Sequence, residues 1–101
     1  MIYIAGPITG IEDFNRPAFN AAAAQLRAMG YEVCNPAEFS APCENPTHAD
    51  WMKLALDHLA NCEAVALLPG WTLSKGASIE FVVAMRAGKR AIPLARWLEG
   101  A

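Results

Sequence analysis

The segment Ser74-Lys75-Gly76-Ala77-Ser78-Ile79-Glu80 holds the side chains with the clearest capacity for chemistry. Small residues at Gly76, Ala77 and Ser78 suit the opening of a helix, whose free N–H groups favour an anion. The Ser74 hydroxyl can donate to that same anion. Glu80 follows about one turn into the helix, among Ile79, Phe81, Val82 and Val83. A carboxylate in such apolar company must be paired, hydrogen-bonded or open to a cavity. A nucleophile or general base needs that setting, although a glutamate placed early in a helix for its dipole fits the pattern equally well. The spacing is not that of the phosphate-cradling GxxxxGK[ST] loop.

Other residues could join it. Asp50, Lys53, Asp57 and Asn61 share one face of a second helix, with Trp51, Leu54, Ala55, His58 and Leu59 on another. Asp57 is therefore either a reactive acid or the partner of Lys53 on a solvated face. His58 lies on the apolar side and reads as a packing residue; His48 stands alone in a loop. Tyr3, in the middle of a strand, buries its ring and needs a partner for its hydroxyl. A carboxylate projecting from a neighbouring helix is a natural one. The loop Gly6-Pro7-Ile8-Thr9-Gly10 brings glycine and a hydroxyl to the end of that strand, and Gly10 lets the backbone turn towards a ligand. Trp51 and Trp71 can stack on an aromatic base or cap the core.

The elements that must position these residues alternate along the chain. Ile2 to Ala5 is a first strand closed by Gly6-Pro7. Pro17 to Met29 forms a helix stopped by Gly30, with Asp13 or Asn15 as its cap. Tyr31 to Cys34 is a very short strand. Asn35 to Thr47 holds three prolines and reads as an irregular loop. A helix from Ala49 to Asn61, capped by Thr47 or Asp50, leads to a strand from Ala64 to Leu68. A helix from Gly76 to Ala87 and a strand from Ala91 to Leu94 follow, then a frayed tail or partial turn. Such alternation predicts a Rossmann/flavodoxin-like three-layer α/β/α fold with a small, mainly parallel four-stranded sheet. Ligands of such sheets bind outside the carboxyl ends of the strands, which selects the Gly6–Gly10 and Pro69–Lys75 loops.

Composition bounds the partners. The 101 residues match one domain, spanning 1–101. A net charge of −2 with scattered basic residues disfavours a nucleic-acid backbone as ligand. The apolar share of 54% exceeds the roughly 45–50% of soluble domains and predicts a subunit interface, hence a homodimer or higher homo-oligomer. Cys34, Cys43 and Cys62 are odd in number and lack CxxC spacing, so neither a disulfide framework nor a metal site is expected. With no basic leader and no membrane-length apolar run, a soluble cytoplasmic protein is expected.

The residues together resemble a known family. Tyr3-Ile4-Ala5-Gly6-Pro7, Asp57 in a helix before an apolar strand, and Gly76-x-x-x-Glu80 with Ala84 and Gly88 occur in the order seen in the nucleoside 2-deoxyribosyltransferase superfamily. YIAGPITG, NPAEF and LPGW-x-x-S-x-GA-x-x-E look closest to a short branch found in phage and prophage genomes. The resemblance covers nearly the whole chain. It implies that Glu80 attacks the anomeric carbon to form a glycosyl-enzyme intermediate, that Tyr3 holds Glu80, and that Asp57 assists the leaving base. It implies a nucleoside or nucleotide substrate bound by Gly6, Pro7, Ile8, Thr9, Gly10, Trp71, Ser74, Gly76 and Ala77, with no cofactor and no metal. Transferases of the superfamily carry an aspartate where this chain has Ser74, whereas the nucleotide N-hydrolase branch has a serine there for the 5′-phosphate. Hydrolysis of a nucleoside 5′-monophosphate is therefore the leading expectation. Base transfer and binding without catalysis are the alternatives. Longer members carry a C-terminal strand and tail that are short or missing here, so the resemblance implies a site completed by a partner copy.

Overall fold

Four short strands run side by side: β1 (Ile2–Ala5), β2 (Val33–Cys34), β3 (Ala64–Leu67) and β4 (Arg90–Pro93). All are parallel, in the spatial order β2-β1-β3-β4. Parallel neighbours need a crossover of a dozen or more residues, usually a helix. Here α1 (Arg16–Ala28), α2 (His48–Ala60) and α3 (Lys75–Arg86) supply the crossovers, and α4 (Leu94–Leu98) closes the chain. The computed structural model describes residues 1–100.

β1 and β3 are buried along their whole length, as continuous apolar runs in a sheet covered on both faces must be. The period of two in β1 then separates two cores. Ile2 and Ile4 join Phe19, Ala22, Ala23 and Leu26 of α1 and Trp97 of α4. Tyr3 and Ala5 point the other way, to Leu59 of α2 and Ala84 of α3. The fold is thus the three-layer α/β/α arrangement expected from the order of elements.

Several local expectations give way to tertiary contacts. The tail is not frayed: α4 docks Trp97, 6% exposed, onto the core, and its indole Nε1 donates to the Val65 carbonyl at 3.0 Å. β2 pairs only through Val33 and Cys34, because the chain then turns at Asn35 into a 3-10 turn opened by Pro36, which has no N–H to donate to the ladder. The Asn35–Thr47 loop contains a single 3-10 turn, Pro36–Glu38, closed by the Asn35 side chain accepting from the Ala37 N–H. At the start of α2, Thr47 and Asp50 exchange side-chain and backbone hydrogen bonds in a capping box. Neither Asp13 nor Asn15 caps α1 through its side chain. Asp13, Phe14 and Asn15 instead take left-handed backbone angles, with φ of 53°, 53° and 60°, and Asn15 donates to the Pro7 carbonyl at 2.9 Å. No described helix is long and apolar enough to cross a membrane.

Candidate active site

In this strand order the chain leaves β1 towards β2 on one side and returns to β3 on the other. The topological switch point therefore lies between the carboxyl ends of β1 and β3, where open α/β sheets hold ligands. A cleft of about 360 Å³ opens there, a size suited to a small molecule. The loop after β1 lines it with Gly6, Ile8 and Thr9, the turn after β2 with Pro36 and Ala37, and the start of α3 with Ser74, Gly76 and Ala77. Gly6 is required by close approach: a Cβ there would sit 2.8 Å from two side-chain carbons of Leu68.

Tyr3 and Glu80 form the floor. Tyr3 is 1% exposed and Glu80 7%, and the phenol hydroxyl donates to Glu80 Oε2. Among the described residues that hydroxyl is the one polar partner of the carboxylate, and no cation pairs with it. Burial pushes the Glu80 carboxyl up to about 7, while the Tyr3 hydrogen bond pulls in the opposite direction by favouring the carboxylate. Burial, followed by the Glu80 charge and hydrogen bond, holds the Tyr3 phenol far above its ordinary range, so it remains a donor. Glu80 at neutral pH thus divides between a carboxylate able to attack an electrophile and an acid able to give a proton.

The α3 N-terminus adds a polar corner. Ser74 caps α3 by accepting from the Ala77 N–H at 3.2 Å, which leaves its own hydroxyl proton available to a ligand. Ala77 is buried and Gly76 faces α2, where a Cβ would meet Met52 Cε at 3.2 Å. Small residues here let α3 approach both β1 and α2 closely enough for Glu80 to reach Tyr3.

Of the residues singled out in the sequence, Tyr3, Gly6, Ile8, Thr9, Ser74, Gly76, Ala77 and Glu80 line one cleft. Pro7, Gly10, Asp57 and Trp71 do not. Pro7 instead accepts the Asn15 hydrogen bond, and Gly10 takes up the positive φ of the turn at 82°. Trp71 opens a 3-10 turn and lays its ring on Phe81, with centroids 4.6 Å apart. Asp57 is exposed on α2, where its backbone carbonyl accepts from the Asn61 side chain. The helical period explains its position. The cleft-facing residues of α2 are His48, Trp51, Met52 and Ala55, spaced i, i+3, i+4 and i+7. Asp57 lies two residues beyond Ala55, about 200° around the axis.

The structure also brings residues to the cleft that the sequence reading did not select. Phe14 enters from the segment before α1, Arg16 from the first residue of α1, Phe39 from the long loop, and His48 from the first residue of α2. The i, i+3, i+4, i+7 spacing of His48 with Trp51, Met52 and Ala55 is the signal that could have found it. His58 lies elsewhere, its ring stacked on Phe39 at 4.1 Å. Burial pushes the Cys34 thiol up to about 12 and raises that of Cys62, so neither is poised as a nucleophile. Among the described residues no group of three or more His, Cys, Asp or Glu could hold a metal ion.

The class of protein defined by this fold and site is a small parallel α/β domain with a buried carboxylate under a ligand-sized cleft. Residues 1–92 match the family described as a domain of unknown function (DUF4406), and the chain belongs to that family. No curated protein and no solved structure matches the chain.

Proposed function

We propose that this protein cleaves the N-glycosidic bond of a nucleoside 5′-monophosphate, with Glu80 as nucleophile. The observation that carries the reading is the Tyr3–Glu80 pair. A buried carboxylate with no cation beside it weakens the fold, and its presence at a cleft floor is explained by chemistry. A carboxylate nucleophile suits a sugar whose anomeric carbon acquires oxocarbenium character as the base departs. The resemblance to the nucleoside 2-deoxyribosyltransferase superfamily supports the same role for both residues.

The rest of the cleft supports a nucleotide as substrate. The Ser74 hydroxyl, the free N–H groups at the start of α3 and the Arg16 guanidinium suit a phosphate. Trp51, Phe39 and Phe14 offer rings to a base. Serine rather than aspartate at position 74 favours hydrolysis over base transfer. Three free cysteines agree with work in the cytoplasm. Exposed Val82, Val83 and Met85 on α3, with Leu73 at 92% exposure, favour a homo-oligomer in which a second copy covers this face.

Incubation with a panel of nucleoside and deoxynucleoside 5′-monophosphates, following free base by chromatography, tests the reading. Base released by the wild type and not by Glu80→Ala is the expected result. The second reading is a nucleotide binder without catalysis, favoured by the exposure of Asp57 outside the cleft. Release of base from no member of the panel, together with a retained nucleotide, would establish that alternative.

A further inference from the structure

We propose that His48 is the acid that protonates the departing base. The inference rests on the glycosidase reading of the Tyr3–Glu80 pair.

Breaking an N-glycosidic bond sends the bonding electron pair to the base nitrogen, and an ordinary purine or pyrimidine leaves poorly unless a proton arrives with it. Four cleft-lining side chains titrate or carry charge: Tyr3, Arg16, His48 and Glu80. Glu80 cannot supply the proton if it is the attacking group. Tyr3 is committed by its hydrogen bond to Glu80 and lies buried beneath it. A guanidinium is a fixed charge and not a general acid, which rules out Arg16. Asp57, the acid implied by resemblance, faces away from the cleft. Imidazole is the side-chain class that exchanges protons near neutrality, and His48 is what remains.

Its position fits the role. His48 is the first residue of α2 and Trp51 lies one turn on, so a base stacked on Trp51 has the imidazole beside it. Glu80 is buried where His48 is exposed, so a sugar on Glu80 sits deep in the cleft and its base lies towards solvent. His48 is exposed, so it can recover its proton from solvent. The other ionisable groups of this region are Arg16, which lines the same cleft, Asp50 in the same first turn and Cys43 on the preceding loop, the last two joined at 3.6 Å.

The steps balance. A Glu80 oxygen bonds to the anomeric carbon as the C–N bond breaks, and the His48 imidazolium proton passes to the base. Water then attacks the anomeric carbon of the glycosyl ester, gives its proton to the neutral imidazole, and frees the sugar and the Glu80 carboxylate. The net change is hydrolysis, with both residues restored.

The test compares 2′-deoxyguanosine 5′-monophosphate with its N7-methyl derivative, whose cationic base leaves as a neutral molecule and needs no proton. His48→Gln is expected to lower kcat on the unmethylated nucleotide by roughly 100-fold or more. On the methylated one the variant should stay within about threefold of the wild type, which also reports an intact fold. Added imidazole should restore turnover of the unmethylated nucleotide by His48→Ala, since the site is open to solvent. Equal losses on both nucleotides without imidazole rescue, or no loss on either, would overturn the role of His48 while leaving Glu80 in place. Release of no base by the wild type from these two nucleotides or from any member of the panel would remove the glycosidase reading and this inference together.

Discussion

The Tyr3 hydroxyl donates to the Glu80 carboxylate across 77 positions of sequence, and both groups are buried where they line the cleft. The contact joins the first strand to the third helix at the switch point of the sheet. It sets the protonation of Glu80 by two opposed effects, burial favouring the acid and the phenol favouring the anion.

If Glu80 must be ionised to attack, base release from the N7-methyl nucleotide, whose departure needs no acid, rises with pH through about 7. Glu80→Gln keeps the shape and the Tyr3 hydrogen bond but removes the nucleophile, and should reduce turnover by roughly 10³-fold or more. A pH series of single-turnover rates would reveal the limb; a flat profile between pH 5 and 9 would count against the assignment.

Stability moves the other way. The folded chain holds the Glu80 proton up to about pH 7, whereas the unfolded chain releases it near 4.5. The stabilisation is fully present below 4.5 and is lost as pH rises through 7. Glu80→Gln should therefore be the more stable protein above pH 7, by up to roughly 3 kcal/mol, and gain little at pH 4. Urea unfolding of both proteins at the two ends of that range measures the difference.

Tyr3→Phe deletes the donor and leaves the ring. A hydrogen bond to a charged group contributes about 1.5–3 kcal/mol, equal to roughly one to two pH units. The limb assigned to Glu80 should move up by about that amount, with activity at pH 7 falling on the order of tenfold. An unmoved limb would show that the phenol does not govern the carboxylate.

Gly6→Ala places a methyl 2.8 Å from Leu68. The expected cost is about 1–3 kcal/mol of stability. Adding Leu68→Ala should recover part of it, although that substitution alone is destabilising. A double-mutant cycle by thermal unfolding gives the coupling; simple additivity would mean that the backbone moves aside instead.

Trp97→Ala removes the indole from the core between the sheet and α1 together with its bond to Val65. A loss of about 3–5 kcal/mol is expected, enough to leave a domain of this size barely folded. Trp97→Phe should restore most of the packing and not the hydrogen bond.

Much of this was legible in local sequence. The strand and helix alternation carries the fold class, because a parallel sheet demands crossovers and continuous apolar strands. Glu80 stood out because a carboxylate among apolar neighbours needs a reason, and Tyr3 because a buried phenol needs a partner. Thr47, Gly30 and Gly88 mark helix ends through chemistry confined to a few residues.

Position across the fold was decided elsewhere. Which face of α2 meets the cleft depends on how α2 packs against α3 and the sheet, and that packing puts His48 at the cleft and Asp57 outside it. The last turn became a helix because Trp97 found a pocket between α1 and the sheet, a contact that no short-range signal encodes. Sequence alone specified periodicity, caps and the types of side chain able to react. Only the tertiary structure determined which of them meet, because burial and proximity depend on contacts between residues far apart in the chain.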